Sequence, residues 1–386
     1  MALFEYFPNY VWNLSLSIAI QSGGEMGEII DMCKPLLDKA QKGEDAGTGA
    51  FLAEWMKKAE DLIEMAGEDE AKGRLMSAAE KHRRAALYLF TAERMQGHGH
   101  PGRKETYARA LTSFDRYRDW GHENCERVEI PYKGKVMPAY FTRAQGVDGS
   151  APCVLYLNGL DSCKELLYYS RLPQELARRG ISTLSLDQPG TGESIRLQGL
   201  YATPESEDWG TPAYEWLAAR DDVDGARIGC VGISLGGYYA PRVVANEPRF
   251  ASGAVWGANH NWAEVQQKRM RREGENPVPH YWNHVWWVFD AKDQDDFIAK
   301  SAGMHLNGQM EKIRVPFLVT HGQFDRQIGL EYAHQSYDQL VNSPRRELVV
   351  FTPREGGVEH VGADNMSYGR SLIADWFAET LGGRLA

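Results

Sequence analysis

The sequence predicts an α/β fold, a mostly parallel central sheet flanked by helices, preceded by an all-helical N-terminal region. Three observations point there. From about Cys125 onward, short apolar runs of strand character alternate with helical periodicities. From about Asn9 to Trp120 the pattern is helical and almost free of strand signals. A serine, Ser234, stands in a glycine-flanked turn between one of the apolar runs and a helical segment.

In the N-terminal region the stretch Glu68 to Met95 is the clearest helix. Leu75, Ala78, Ala79, His82, Ala86 and Leu89 recur at three- and four-residue steps, with charges between them. Lys104 to Trp120 reads as a second helix, with Tyr107, Ala110, Leu111, Phe114 and Tyr117 on one face; Gly97 to Gly102, with Pro101, separates the two. Residues 1–122 are therefore expected to form one helical region and 123–386 the sheet domain.

The sheet domain opens with a hairpin, Arg127 to Pro131 and Val136 to Arg143, joined through Lys133-Gly134-Lys135. The strands expected next are Cys153–Asn158, Ile181–Asp187, Ile228–Ile233, Gly253–Trp256, Phe317–His321 and Leu348–Phe351. Helical patterns lie between them at Leu166–Arg179, Leu235–Asn246 and Leu330–Leu340. Apolar strands alternating with helices imply parallel pairing with both faces covered. The interval from Trp256 to Val315 is too long for a single crossover. Residues from about 258 to 312 are read as a cap inserted over the carboxyl end of the sheet.

Bulk properties narrow the function. A net charge of -10 repels a phosphate backbone, and the short cluster Lys268, Arg269, Arg271 and Arg272 suits a solvated helix face, so no nucleic-acid partner is expected. The five cysteines are scattered, without metal-ligand spacing, and Cys153 and Cys230 fall in apolar strands; this suggests a reducing, cytoplasmic setting. Tyr10 to Ile20 is apolar, but the first basic residue is Lys34 and the run is too short to span a bilayer, so neither export nor a membrane is expected. His98 and His100 share a glycine-rich loop without further ligands; no metal and no cofactor are predicted.

The chemistry centres on Gly232-Ile233-Ser234-Leu235-Gly236-Gly237. A serine on a tight strand-to-helix turn is held in strained backbone with its hydroxyl exposed, and the following helix aims its N–H groups at the site. A hydroxyl needs a base, and the base an orienter. Asp325 follows the strand Phe317–His321 through Gly322-Gln323-Phe324 and is the expected acid. His360 follows the last strand in Glu355-Gly356-Gly357-Val358-Glu359-His360 and is the expected base. His260, His280, His284, His305 and His334 do not follow the last strand, and His321 reads as structural. For the oxyanion, one N–H donor is expected from Leu235. The other is expected from the loop Asn158-Gly159-Leu160-Asp161, at Gly159 or Leu160, with Leu160 preferred. The turn Asp187-Gln188-Pro189-Gly190-Thr191-Gly192-Glu193-Ser194 lacks the lysine of a phosphate loop and reads as structural.

Taken together, the helical N-terminal region, Gly159-Leu160-Asp161-Ser162 followed by Lys164-Glu165, the Asp187-to-Ser194 turn and the Gly-Ile-Ser-Leu-Gly-Gly elbow resemble one branch of the α/β-hydrolases. It is the branch of 2,6-dihydroxypseudooxynicotine hydrolase, the fungal Ayg1-type hydrolases and the FrsA-like proteins. The resemblance implies hydrolysis of a carbon–carbon bond next to a ketone, a helical region acting as a lid, and a homodimer. It also implies an assisting carboxylate some way past the nucleophile, for which Glu264 is the nearest match.

The expected function is thus cleavage of an aryl ketone, β-diketone or polyketide-type small molecule. The alternatives are an esterase, thioesterase or amidase with the same triad, and an FrsA-like regulatory protein. Trp262, Trp282, Trp286 and Trp287 suit an aromatic ligand, and equally suit burial of the cap on the core. The pocket candidates are Trp256, Trp262 and Trp286.

Overall fold

A computed structural model of the chain describes residues 3–42, 48–271 and 281–386. The chain divides into two compact units. Among the described residues one comprises 3–125 with 281–284, and the other comprises 126–271 with 285–386.

The first unit is helical: α1 (Tyr10–Gln21), α2 (Met26–Cys33), α3 (Leu37–Gln41), α4 (Thr48–Ala71), α5 (Leu75–Arg94) and α6 (Arg103–Trp120). Asn9 caps α1 by accepting the Val11 N–H at 2.9 Å. A chain of ring contacts runs through the core, from Phe7 to Trp12, Phe51, Trp55 and Tyr88, with centroids 4.9–5.6 Å apart, and it ties α1, α4 and α5 together. The continuous helix expected over Glu68 to Met95 is in fact the end of α4 and the whole of α5. Gly73 adopts φ +72, and the Arg74 N–H turns back to the Asp69 carbonyl at 2.8 Å, a glycine stop that heptad periodicity alone does not reveal.

The second unit is built on an eight-stranded sheet in the order β1-β2-β4-β3-β5-β6-β7-β8. The strands are β1 (Glu126–Tyr132), β2 (Lys135–Thr142), β3 (Ala151–Leu157), β4 (Ser182–Leu186), β5 (Val223–Ile233), β6 (Ser252–Trp256), β7 (Phe317–Gly322) and β8 (Arg346–Phe351). β1–β2 and β2–β4 are antiparallel and every other pair is parallel. Lys133 and Gly134, both at positive φ, make the two-residue turn of the first hairpin. Every residue of β3, β4, β6 and β7 is buried, as parallel strands covered on both faces must be.

The intervening helices are α7 (Lys164–Tyr169), α8 (Leu172–Arg178), α9 (Gly192–Arg196), α10 (Glu207–Ala218) and α11 (Gly236–Asn246). After β6 come α12 (Trp262–Arg271), α13 (Tyr281–Val288) and α14 (Gln294–Ser301), then α15 (Glu331–Asp338) and α16 (Met366–Leu381). The single helix expected over Leu166 to Arg179 is two helices. Arg171 sits at φ +64 and Pro173 opens α8, where its missing N–H costs nothing. The interval 258–312, expected as a cap, holds α12–α14 and their connections; residues 272–280, including Arg272 and His280, lie outside the described residues.

Candidate active site

β5 delivers Ser234 to the carboxyl edge of the sheet, and α11 begins two residues later. The turn is sterically demanding. A Cβ at Gly232 would lie 1.9 Å from the Gly236 carbonyl oxygen, and one at Gly237 would lie 2.2 Å from that of Gly257. Ser234 itself is held at φ +58, in the left-handed region that costs a non-glycine residue on the order of 1–3 kcal/mol. Its N–H donates to the Trp256 carbonyl at 3.0 Å, which locks the strained turn to β6.

The loops after β7 and β8 bring the other two residues to the same edge. Ser234 Oγ lies 2.9 Å from His360 Nε2, and His360 Nδ1 lies 2.8 Å from Asp325 Oδ2. With the proton on Nδ1, which the carboxylate selects, Nε2 is left as an acceptor for the serine hydroxyl. Asp325 is buried. Its other oxygen accepts the N–H groups of Gln327 at 2.7 Å and Ile328 at 3.0 Å. Burial alone would raise its pKa, but His360, His321 and the Ile328 N–H outweigh burial and hold it below the usual carboxylate range.

The neighbourhood is braced by groups that sequence reasoning passed over. Arg326 and Glu359, each next in sequence to a member of the row, form a two-pronged ion pair at 2.8 and 3.2 Å that joins the acid loop to the histidine loop. Asp364 accepts three main-chain N–H groups, from Gly357 at 2.8 Å, Val358 at 3.3 Å and Glu359 at 2.9 Å, and so shapes the turn before His360. The residue after the histidine, Val361, is strained at φ +51. His321, expected to be structural, is fully buried, and its Nε2–H donates to the Ile328 carbonyl at 2.9 Å, fixing the loop that carries Asp325. His260 is likewise buried between Ser336 and Asn307.

Of the expected oxyanion donors, Leu235 occupies the N-cap of α11, where a helix's first N–H groups have no i−4 carbonyl. The loop holding Gly159 and Leu160 comes directly against the serine: a Cβ at Gly159 would lie 3.0 Å from Ser234 Cβ and 3.4 Å from its Oγ.

The remaining candidates fare differently. Glu264 is half-exposed in the first turn of α12, ion-paired to Lys268 at 3.0 Å and hydrogen-bonded by Asn261 Nδ2 at 3.3 Å. Trp256, expected in the pocket, is a core residue. Its indole packs where a Cβ at Gly369 of α16 would fall 3.2 Å from the ring. Trp262 stacks on Phe289 at 5.1 Å and meets Phe297 edge-on at 5.7 Å, so it joins α12 to the end of α13 and to α14. Trp286 is half-buried, and its buried Nε1–H has no hydrogen-bond partner among the described residues. Among the described residues no three His, Cys, Asp or Glu side chains are grouped to hold a metal, and no helix is long and apolar enough to cross a membrane.

A mostly parallel eight-stranded sheet with a serine elbow after β5 and an acid and a histidine after β7 and β8 defines an α/β-hydrolase fold. Comparison with known proteins narrows the class. The prolyl oligopeptidase family model matches residues 173–384. The 2,6-dihydropseudooxynicotine hydrolase of Paenarthrobacter nicotinovorans is 30% identical over 85% of this chain and 82% of its own. Hydrolase LUC6 of a Fusarium species is 25% identical over 98% and 99% of the two chains. The crystal structure of 2,6-dihydroxy-pseudo-oxynicotine hydrolase superposes with a TM-score of 0.76 at 22% identity, covering 95% of both chains, which speaks to the fold. The chain belongs to the prolyl oligopeptidase family of α/β-hydrolases, in the branch that contains 2,6-dihydroxypseudooxynicotine hydrolase.

Proposed function

We propose that the chain is a serine hydrolase with Ser234 as nucleophile, His360 as base and Asp325 as orienter. We further propose that it cleaves the carbon–carbon bond beside the ketone of an aryl ketone, β-diketone or polyketide-type substrate. The observation that carries the first part is the unbroken row of hydrogen bonds, 2.9 Å from serine to histidine and 2.8 Å from histidine to aspartate. The second part rests on kinship with a hydrolase named for 2,6-dihydropseudooxynicotine.

The steps balance with these groups alone. Ser234 Oγ bonds to the carbonyl carbon while its proton passes to His360 Nε2, and the oxyanion is received by the Leu235 N–H and one from the Gly159–Leu160 segment. Collapse re-forms the carbonyl and breaks the bond to the neighbouring carbon, which leaves as an enolate stabilised by its own second carbonyl. That carbon takes the proton from His360. Water then attacks the acyl-serine, again with His360 as base, and releases an acid. Glu264, engaged by Lys268 and Asn261, has no step assigned to it. An ester would follow the same path with an alkoxide leaving in place of the enolate.

The test is product analysis by mass spectrometry on aryl β-diketones and matched aryl esters, with the Ser234→Ala variant in parallel. Acid and ketone from the diketones, absent in the variant, are expected. Turnover of esters alone would replace the carbon–carbon reading with an esterase. Turnover of either that survives in the variant would end the serine mechanism, and turnover of neither would leave the FrsA-like regulatory reading standing.

A further inference from the structure

The turn Asp187–Ser194, which carries no step of the reaction, is bonded to both ends of the loop that faces the nucleophile. Gln188 clasps the main chain of Asn158: its Oε1 accepts the Asn158 N–H at 3.1 Å and its Nε2 donates to the Asn158 carbonyl at 2.9 Å. Asp187 Oδ1 accepts the Lys164 N–H at 2.6 Å and Asn158 Nδ2 at 3.3 Å. Its Oδ2 accepts the Glu193 N–H at 2.8 Å and faces Lys164 Nζ at 3.3 Å. Two adjacent side chains thus fasten residues 158 and 164, and the segment between them is the one in which Gly159 presses on Ser234.

We propose that Asp187 and Gln188 are positioning residues for the oxyanion site, holding the Asn158–Lys164 loop at the separation from Ser234 that a tetrahedral oxyanion requires. The proposal rests on the serine-hydrolase reading above. Its physical basis is preorganisation: main-chain donors stabilise a developing charge only when their positions are fixed before the charge appears.

The surroundings are built to keep the Asp187 carboxylate in place. Asp187, Lys164 and Glu165 are fully buried, and Lys164 also pairs with Glu165 at 2.6 Å and with Glu193. Arg127 closes the cluster on Glu193 at 3.0 Å, and the Lys164 ammonium lies 5.0 Å from the Tyr140 ring centre. Burial lifts the Asp187 carboxyl to about 6 against the pull of Lys164, so at mildly alkaline pH it is the anion that these contacts call for. A cluster needed only to pack β4 against α7 would not have to reach Asn158, at the other end of the loop.

The test compares wild type with Gln188→Ala and Asp187→Asn at mildly alkaline pH. Active sites are first counted by fluorophosphonate labelling of Ser234. For each titrated site, kcat and KM are then measured on p-nitrophenyl butyrate, and Ki for an aryl trifluoromethyl ketone, which forms an oxyanion on the serine. The expected result is a fall in kcat of about 100-fold with KM unchanged, and a Ki that rises by the same factor as kcat/KM falls. A role confined to stability would lower the melting temperature and the titrated fraction while leaving kcat and Ki per site at wild-type values; that result overturns the proposal. Gln188→Ala removes only a neutral side chain, so it carries the test if Asp187→Asn does not fold. Failure of wild type to label at Ser234 sinks the hydrolase reading itself, and the positioning role with it. Labelling with unchanged variant kinetics sinks the positioning role alone.

Discussion

Asp325→Asn gives the sharpest test of the row of hydrogen bonds, because the structure dictates how the new amide must sit. Oδ1 of the aspartate receives two main-chain N–H groups, from Gln327 at 2.7 Å and Ile328 at 3.0 Å. An amide nitrogen there would face two donors, so the amide oxygen must take that place. Its NH₂ group is then turned toward His360 Nδ1, now 2.8 Å from the aspartate's Oδ2. A donor at that position forces Nδ1 to accept, which moves the imidazole proton to Nε2 and points it at Ser234 Oγ. The serine loses its base while every heavy atom stays in place. The comparable wrong-tautomer change in serine proteases lowers kcat about 10⁴-fold, or about 5.5 kcal/mol of barrier. Stability should fall only modestly, since both main-chain bonds to the side chain survive, now to a neutral instead of a charged acceptor. The assay is the pre-steady-state burst on a p-nitrophenyl ester, with a thermal melt of the same preparation. A variant that folds like wild type and keeps kcat within about tenfold would refute the tautomer assignment.

Three further predictions follow from the geometry. Gly159→Ala places a methyl 3.0 Å from Ser234 Cβ, so the loop must retreat by a few tenths of an ångström; kcat should fall about tenfold at constant melting temperature, and an unchanged kcat would show that the loop does not contribute to the oxyanion site. Arg326→Ala strands Glu359, which is buried and already has a pKa raised by burial; a loss of about 1–3 kcal/mol together with lower kcat is expected, partly recovered by adding Glu359→Gln, and a zero coupling energy in the double-mutant cycle would dismiss the clamp. His82, buried in α5, has its pKa lowered to about 4 by burial and then by Arg116, so the folded state resists protonation that the unfolded chain accepts below about 6.5; stability should be full above that pH and decline as pH falls toward 4, by on the order of 3 kcal/mol. Urea melts against pH should lose this slope in His82→Gln, and an unaltered slope would assign it elsewhere.

Much of the layout could be read from the sequence because its signals are local. Ser234 announces itself by the glycines its turn cannot do without, and Asp325 and His360 by their places just beyond apolar strands. What escaped was information carried between distant segments, or by side-chain direction. Arg326 and Glu359 are neighbours of the two predicted residues, but nothing in either loop alone says that they meet. Trp256 lies in the core and not in the expected pocket for a related reason. A strand buried on both faces shows no polar alternation, so the sequence cannot say whether its last side chain looks toward the substrate or into α16. Gly73 and Arg171 broke two expected helices because periodicity continued across a turn whose residues adopt positive φ. The glycines of Asp187–Ser194 mark a turn in the sequence, but the reach of Asp187 and Gln188 across to Asn158 appears only in three dimensions.

One device recurs at three loops along the carboxyl edge of the sheet, and it explains how an irregular edge can be as fixed as the sheet beneath it. After β4, Asp187 gathers the N–H groups of Lys164 and Glu193; after β7, Asp325 gathers those of Gln327 and Ile328; after β8, Asp364 gathers those of Gly357, Val358 and Glu359. Loops lack the repeating ladder that satisfies main-chain donors in strands, and a buried N–H without an acceptor costs on the order of 1–3 kcal/mol. A carboxylate has room for several such donors, and bonds to a charged acceptor are roughly twice as strong as neutral ones. Each aspartate therefore converts unsatisfied donors into a rigid turn centred on one side chain. Only Asp325 spends its second oxygen on an imidazole; Asp187 spends its own on Lys164 and the Glu193 N–H, which directs the same rigidity toward the Asn158–Lys164 loop. The strain at Ser234 and Val361 is tolerable in this setting, since neighbouring turns anchored at several points cannot relax to relieve it.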